Sequence, residues 1–312
     1  MIFLSIIYIY IYIEVKNDRF THAYILLDGT DSVKEILSNA NKAHLEVISI
    51  TDHNSCLSYK EMDNFNINIL YSGNIITGCE FTTSFKNRLI GVLGYGFDCD
   101  KVQKYLEVYY SKEHVNKMVD VLYNRLIKKI SDLGLEFDLA SIRKKKFNGE
   151  FFERGFYDEL IMHSANKQIL KEDVWKSFSD FFRKGLTNPN SKLFINHAQF
   201  KPSLREIIDL VHDAGGIIFL AHPYQYKFND TEKFIDEIYD EYDLDGVECF
   251  YTTFSNRQSE YLLNFAKGKK LLISGGSDYH GNNKKQHELG VGRGNLNIHK
   301  DFISDWIVNY FK

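Results

Sequence analysis

Three apolar runs in this chain end in the same way. Val47-Ile48-Ser49-Ile50 leads into Thr51-Asp52-His53, Ile217-Ile218-Phe219-Leu220 into Ala221-His222-Pro223, and Leu271-Leu272-Ile273 through Ser274-Gly275-Gly276-Ser277 into Asp278-Tyr279-His280. Short apolar runs bounded by Gly, Pro and polar residues read as buried strands. Asp278 and His280 lie two residues apart, so on extended backbone they point to the same side. Helical patterns separate the strands. Ser32-Val33-Lys34-Glu35 has capping-box spacing ahead of Val33, Ile36, Leu37 and Ala40, and further helices are predicted over Leu204–Ala214, Glu232–Tyr239 and Gln258–Ala266. A strand over Gly246–Phe250 carries Glu248, and two more, Ile75–Glu80 and Arg88–Leu93, meet at a turn at Lys86-Asn87. Strands separated by crossover helices pair in parallel, and parallel α/β barrels place their chemistry where the strands end. An imidazole at each of three strand exits is then the pattern of a metal site.

The middle of the chain has another character. From Lys101 to about Asn190 no buried strand is legible, and Val115, Met118, Val119, Leu122, Leu126, Ile130 and Leu133 keep a helical period. The predicted organisation is therefore an α/β barrel over 19–100 and 191–312, a helical insertion over 101–190, and an apolar leader over 1–18. The leader, Ile2–Ile13, is too short to span a bilayer and lacks the basic lead and cleavage site of a signal peptide. Its Ile/Tyr alternation favours a β-strand or an unstructured leader. No membrane association is expected. The net charge of -4 over 312 residues, without a long single-sign block, gives no case for a stable nucleic-acid partner. The four cysteines (Cys56, Cys79, Cys99 and Cys249) form no CxxC pair, which fits a reducing, cytoplasmic setting without zinc fingers or disulfides. The oligomeric state is open.

The polar residues at predicted strand exits are Asp28, His53, Glu80, His222, Asp278 and His280. Imidazoles and carboxylates without thiolates suit Mn, Zn or Fe. Taken singly, a His beside a strand is a hydrogen-bonded structural residue and Asp28-Gly29 a turn. Taken together, burying so many ionisable groups without a cation would be very costly. Arg293 is a candidate phosphate contact. His114, His163, His197, His212 and His287 are assigned to the surface or to packing, and Cys79 and Cys249 to the core, facing away from the carboxylates beside them.

These residues carry a family resemblance. Asp28-Gly29-Thr30, Thr51-Asp52-His53, Gly78-Cys79-Glu80, Leu93-Gly94-Tyr95, Ala214-Gly215-Gly216 through Ala221-His222-Pro223, and Gly275-Gly276-Ser277-Asp278-Tyr279-His280-Gly281 resemble, in order, the motifs of the PHP (polymerase and histidinol phosphatase) family of metal-dependent phosphoesterases. The resemblance implies a distorted (βα)7 TIM-like barrel with up to three divalent ions at its carboxyl face. It assigns Glu80 and Asp278 to the first metal, Glu80 and His222 to the second, and Asp28, His53 and His280, the implied catalytic set, to the third. The insertion would act as a substrate lid. The sequence also departs from the family. Its opening His-x-His strand has as nearest counterpart His22-Ala23-Tyr24, with Tyr at the second imidazole and His22 as a remaining ligand. Gly91 stands where a further His is familiar, and Arg154-Gly155-Phe156 lacks the imidazole of an Arg-x-His. The agreement stops just before Asp28, which points to an altered start or reading frame. Fewer than three ions are expected if that motif is lost. The implied function is a hydrolase that cleaves small phosphomonoesters, nucleotides or short oligonucleotides first, with metal-activated water. The alternatives are a histidinol-phosphatase-like enzyme, or an impaired or silent barrel that binds a ligand or partner.

Overall fold

In a computed structural model, residues 9–10, 29–145, 152–296, 298 and 302–310 are described. His22, Tyr24, Asp28 and all of the leader except Ile9–Tyr10 lie outside them. The chain divides into two compact units: one of Met1–Thr83, Ile90–Ser111 and Ser203–Lys312, the other of Ser84–Leu89 and Lys112–Pro202.

The first unit carries the strands, of which eight are found among the described residues: β1 (Ile9–Tyr10), β2 (Val47–Ile48), β3 (Asn74–Ile75), β4 (Gly78–Phe85), β5 (Arg88–Tyr95), β6 (Ile217–Leu220), β7 (Gly246–Tyr251) and β8 (Leu272–Gly276). Its helices start where the sequence signals them. Ser32, Ser203 and Ser255 each close a capping box, with Glu35, Glu206 and Gln258, on helices Val33–Lys42, Leu204–Asp213 and Asn256–Lys269. Val33, Ile36, Leu37 and Ala40 bury one helical face against Ile48, Ile50 and Tyr71.

The strands form two sheets, β1-β2-β3, all parallel, and β4-β5-β6-β7-β8. In the second sheet β6, β7 and β8 run parallel, but β5 is antiparallel to β6. The reason is the hairpin before it: Lys86 and Asn87 both have positive φ (47° and 62°), the two-residue turn that folds β5 straight back along β4. The parallel pairing expected of strands separated by crossover helices is thus broken between β5 and β6. The sheets meet at an isolated parallel bridge between His53 and Glu80, where Asn54 N donates to Glu80 O (2.8 Å) and Glu80 N to Asp52 O (3.2 Å). The architecture is α/β, and among the described residues its ladders do not close into a barrel. Nor does any described helix have the length and apolarity to cross a membrane.

The second unit is helical, with its longest helix at Lys112–Asp132 and others at Leu139–Lys145 and Phe152–Leu160. Leu122, Leu126 and Ile130 pack there with Phe156, Leu160, Phe181 and Leu193. Phe156, which stands at the missing imidazole of Arg-x-His, is fully buried in this core, and the Arg154 guanidinium lies 4.6 Å from the Phe178 ring centre. His197 is buried on Glu153 at 3.1 Å.

Candidate active site

Two buried carboxylates organise the site. Glu80, expected at the exit of a strand over Ile75–Glu80, lies instead near the start of β4, and Asp278 follows β8. Glu80, on β4, has its Oε1 3.1 Å from His222 Nε2 and its Oε2 3.3 Å from His53 Nδ1. The carboxylate only accepts, so His222 Nε2 is the donor. Oε2 makes no hydrogen bond of good geometry among the described residues. Glu80 takes this position because its neighbour on β5 is Gly91, where a Cβ would collide with Glu80 Oε1. The imidazole familiar in the family is therefore replaced by room for the carboxylate itself. Three residues at these strand exits, Asn54 (φ 51°), His222 (φ 23°) and Asp278 (φ 53°), have left-handed backbone, a strained state for a side-chain-bearing residue that persists only where its surroundings enforce it. At His222 the enforcement is visible: its backbone N–H donates to Glu248 Oε2 at 2.7 Å.

Glu248 lies on β7, fully buried, and its Oε1 has no hydrogen-bond partner among the described residues. Burial, with the nearby charges of Glu80 and Asp278, pushes its carboxyl well above the ordinary range. The register of β7 on β8 skips between Glu248, opposite Ser274, and Phe250, opposite Gly275, so that Tyr251 lies opposite Gly276. This bulge turns Tyr251 to the face of Glu248, where regular alternation would have turned it away.

Asp278 sits in a different setting. The Tyr251 hydroxyl donates to Oδ2 at 2.6 Å, Lys284 Nζ reaches Oδ1 and Oδ2 at 3.0 and 2.8 Å, and His287 Nδ1 lies 3.3 Å from Oδ2. Burial opposes ionisation here, but Lys284, His280 and His287 outweigh it and hold the carboxyl far below the usual range. His280, wholly buried, has its Nδ1 2.8 Å from the Asp278 carbonyl. A carbonyl can only accept, so Nδ1 carries a proton; in the neutral ring Nε2 then holds the lone pair, the arrangement of a ligating imidazole. The segment after Asp28 is tied to this loop: Tyr279 OH donates to Asp31 Oδ2 (2.5 Å) and Asn282 N to Thr30 Oγ1 (2.7 Å).

The structure thus brings His53, Glu80 and His222 together, and Asp278 with His280. His22 and Asp28 lie outside the described residues. Arg293 is exposed, and no hydrogen bond or ion pair joins its guanidinium to a site residue among the described residues. His287, assigned to the surface or to packing, is buried with its Nδ1 against both the backbone carbonyl and the carboxylate of Asp278, because the loop after His280 folds back over that residue. Cys79 and Cys249 are buried, as expected of core residues. Glu248, Tyr251, Lys284 and His287 are the members that sequence reasoning missed. Glu248 alone had a readable signal, since Gly246-Val247-Glu248 repeats the Gly-x-Glu pattern of Gly78-Cys79-Glu80.

Among the described residues no three His, Cys, Asp or Glu side chains surround one point as a complete metal centre. The Glu80 group nevertheless fits a divalent ion in kind: nitrogen and oxygen donors, a buried carboxylate oxygen without a hydrogen bond, and a second buried carboxylate, Glu248, left short of donors. The side chains of His53 (21% exposed) and Lys284 (36%) are the solvent-facing members.

Comparison with known proteins accords with this geometry. A family model described as the PHP domain matches residues 19–264. A 5'-3' exoribonuclease of Haemophilus influenzae is 24% identical over 270 residues, covering 81% of this chain and 86% of its own. The 5'-3' exoribonuclease Rnm of Escherichia coli K12 is 22% identical over 259 residues, covering 81% of each. Among solved structures, an amidohydrolase from Chromobacterium violaceum superposes with a TM-score of 0.58 at 18% identity over 87% of both chains. A Bifidobacterium adolescentis protein assigned as a metal-dependent phosphoesterase also gives 0.58, at 20% identity over 97% of both.

Proposed function

Because the chain belongs to the PHP family, we propose that it hydrolyses phosphate esters, with nucleotides or short oligonucleotides as its substrate class. The observation that carries this reading is the buried Glu80 carboxylate, on β4, set between two imidazoles, His53 and His222, that follow β2 and β6. The 5'-3' exoribonuclease relatives favour an oligonucleotide over a sugar phosphate or histidinol phosphate. The two sheets are read as parts of the family's distorted (βα)7 barrel, joined at the His53–Glu80 bridge.

Glu80, His53 and His222 would hold a divalent ion, Mn, Zn or Fe, with Asp28 and His280 completing a neighbouring position and His22 a further donor. Bound there, such an ion supplies Lewis-acid polarisation of the phosphoryl group and lowers the pKa of water. The protein's own part is positional. His280 presents Nε2 because Nδ1 is anchored on the Asp278 carbonyl. His222 is fixed by Glu248 through its backbone N–H. His53 would be the ligand nearest solvent, with its side chain 21% exposed beside Glu80.

The test is hydrolysis by the purified full chain, supplied in turn with Mn2+, Zn2+ and Fe2+, of 5'-phosphorylated short oligoribonucleotides, p-nitrophenyl phosphate and histidinol phosphate. EDTA-sensitive release of mononucleotides is expected. Metal binding without turnover on any ester would favour a silent, ligand-binding barrel. Absence of both would overturn the reading.

A further inference from the structure

The Asp278 side of the site already holds a cation. Lys284 Nζ lies 3.0 Å from Oδ1 and 2.8 Å from Oδ2, astride both oxygens of a buried carboxylate. Tyr251 OH takes Oδ2 at 2.6 Å, and His287 Nδ1 stands 3.3 Å from the same atom. A carboxylate offers about four lone-pair positions, so these donors occupy much of what it has to give. Lys284 arrives by a short path, from the single turn Gly281–Lys284 that follows His280 directly. At Glu80 the ion-pair partners among the described residues are two imidazoles, His53 and His222. The two buried carboxylates of one site are thus served by different chemistries.

We infer that Lys284 is a built-in cation that stands in for a divalent ion at Asp278, and that the chain takes up metal chiefly on the Glu80 side. An ammonium and a divalent ion cannot share the same two oxygens, because the lone pairs are common to both and the charges repel at that distance. Metal reaches Asp278 only when Lys284 leaves for solvent, which its partly exposed side chain permits. This rests on the metal-dependent reading above.

The experiment is calorimetric titration of the full chain with Mn2+, comparing wild type with Lys284→Met, Lys284→Arg, and Lys284→Met combined with Asp278→Asn. Lys284→Met is expected to bind one further ion, or to bind Mn2+ about tenfold more tightly, as removal of a like charge a few ångströms away predicts. Lys284→Arg, which keeps the charge, should titrate like wild type, and Asp278→Asn should abolish the gain. Lys284→Gln, with similar length and no charge, serves in place of the Met variant should that one fail to fold, and thermal melts in EDTA establish folding for each. Wild type that binds Mn2+ alongside an unchanged or weakened Lys284→Met would overturn the role of Lys284 and leave the metal reading standing. Absence of Mn2+ binding in every variant would remove both.

Discussion

Glu80 and Asp278 pose the same physical problem and solve it differently. Each is a buried carboxylate, Glu80 within β4 and Asp278 just after β8, where an unpaired charge is costly. Asp278 is neutralised locally, by Lys284 and by the donors Tyr251, His280 and His287, and is held ionised. Among the described residues Glu80 has two imidazoles as partners and keeps one oxygen without a hydrogen bond, while Glu248 nearby has a second oxygen in the same condition. The Asp278 side is therefore electrostatically complete as it stands, and the Glu80 side is not. What this teaches is where an added cation gains most: a site short of positive charge binds a metal, and a site already supplied with a lysine resists one.

The widest separation between the two sides is expected in catalysis. Glu80→Gln keeps the shape of the side chain and removes the charge that a cation would neutralise, so phosphatase activity should fall by about 100-fold or more. The melting temperature in EDTA should change little, because the variant also relieves an incompletely paired buried charge. Hydrolysis at the wild-type rate would show that Glu80 is only structural.

Asp278→Asn should do the reverse, with its main effect on stability. Removing the carboxylate leaves Lys284 without its partner, and since that lysine is partly solvated the loss should be about 1–3 kcal/mol at pH 7. The sign of the pH dependence follows from the depressed folded-state pKa of Asp278. Its stabilisation is present above the unfolded-state value of about 3.9 and is lost as pH falls below it. Wild type and variant, melted in EDTA, should therefore converge as the pH is lowered from 6 through about 3. A stability gap that stays constant would mean the network does not depend on the ionised Asp278.

The Glu80 side was the more legible in sequence. His53, His222 and Glu80 each follow or lie within an apolar run, so each was readable as a candidate ligand, although the resemblance grouped His53 with Asp28 and His280 and not with Glu80. The helices with capping boxes were equally legible, because those signals are local. The Asp278 side was not. Tyr251 reaches it only through the bulge in β7, which shifts the facing of residues by one and leaves no mark in the hydrophobic pattern. Lys284 and His287 come from a loop whose path is set by tertiary contacts such as those of Thr30 and Asp31. The same holds for the reversed strand β5: the Lys86-Asn87 turn was readable, but its consequence, an antiparallel strand beside β6, depends on which neighbour the hairpin docks against.

Glu248 offers the finest discrimination, because it belongs to neither solution. Its folded-state pKa is raised, by burial first and then by Glu80 and Asp278. For a group raised in the folded state, the stabilisation is complete below the unfolded-state value of about 4.3 and is lost as pH rises through the folded-state value. Glu248→Gln keeps the oxygen that accepts from the His222 backbone and cannot ionise. In EDTA it should therefore match wild type near pH 4 and become the more stable of the two, by about 1 kcal/mol, as the pH approaches 8. That drift runs opposite to the one expected for Asp278→Asn, so the two titrations separate a carboxyl held ionised from one held protonated. A Glu248→Gln variant equally destabilised at every pH would show instead that its hydrogen bond to His222, rather than its protonation, is what the strand exit depends on.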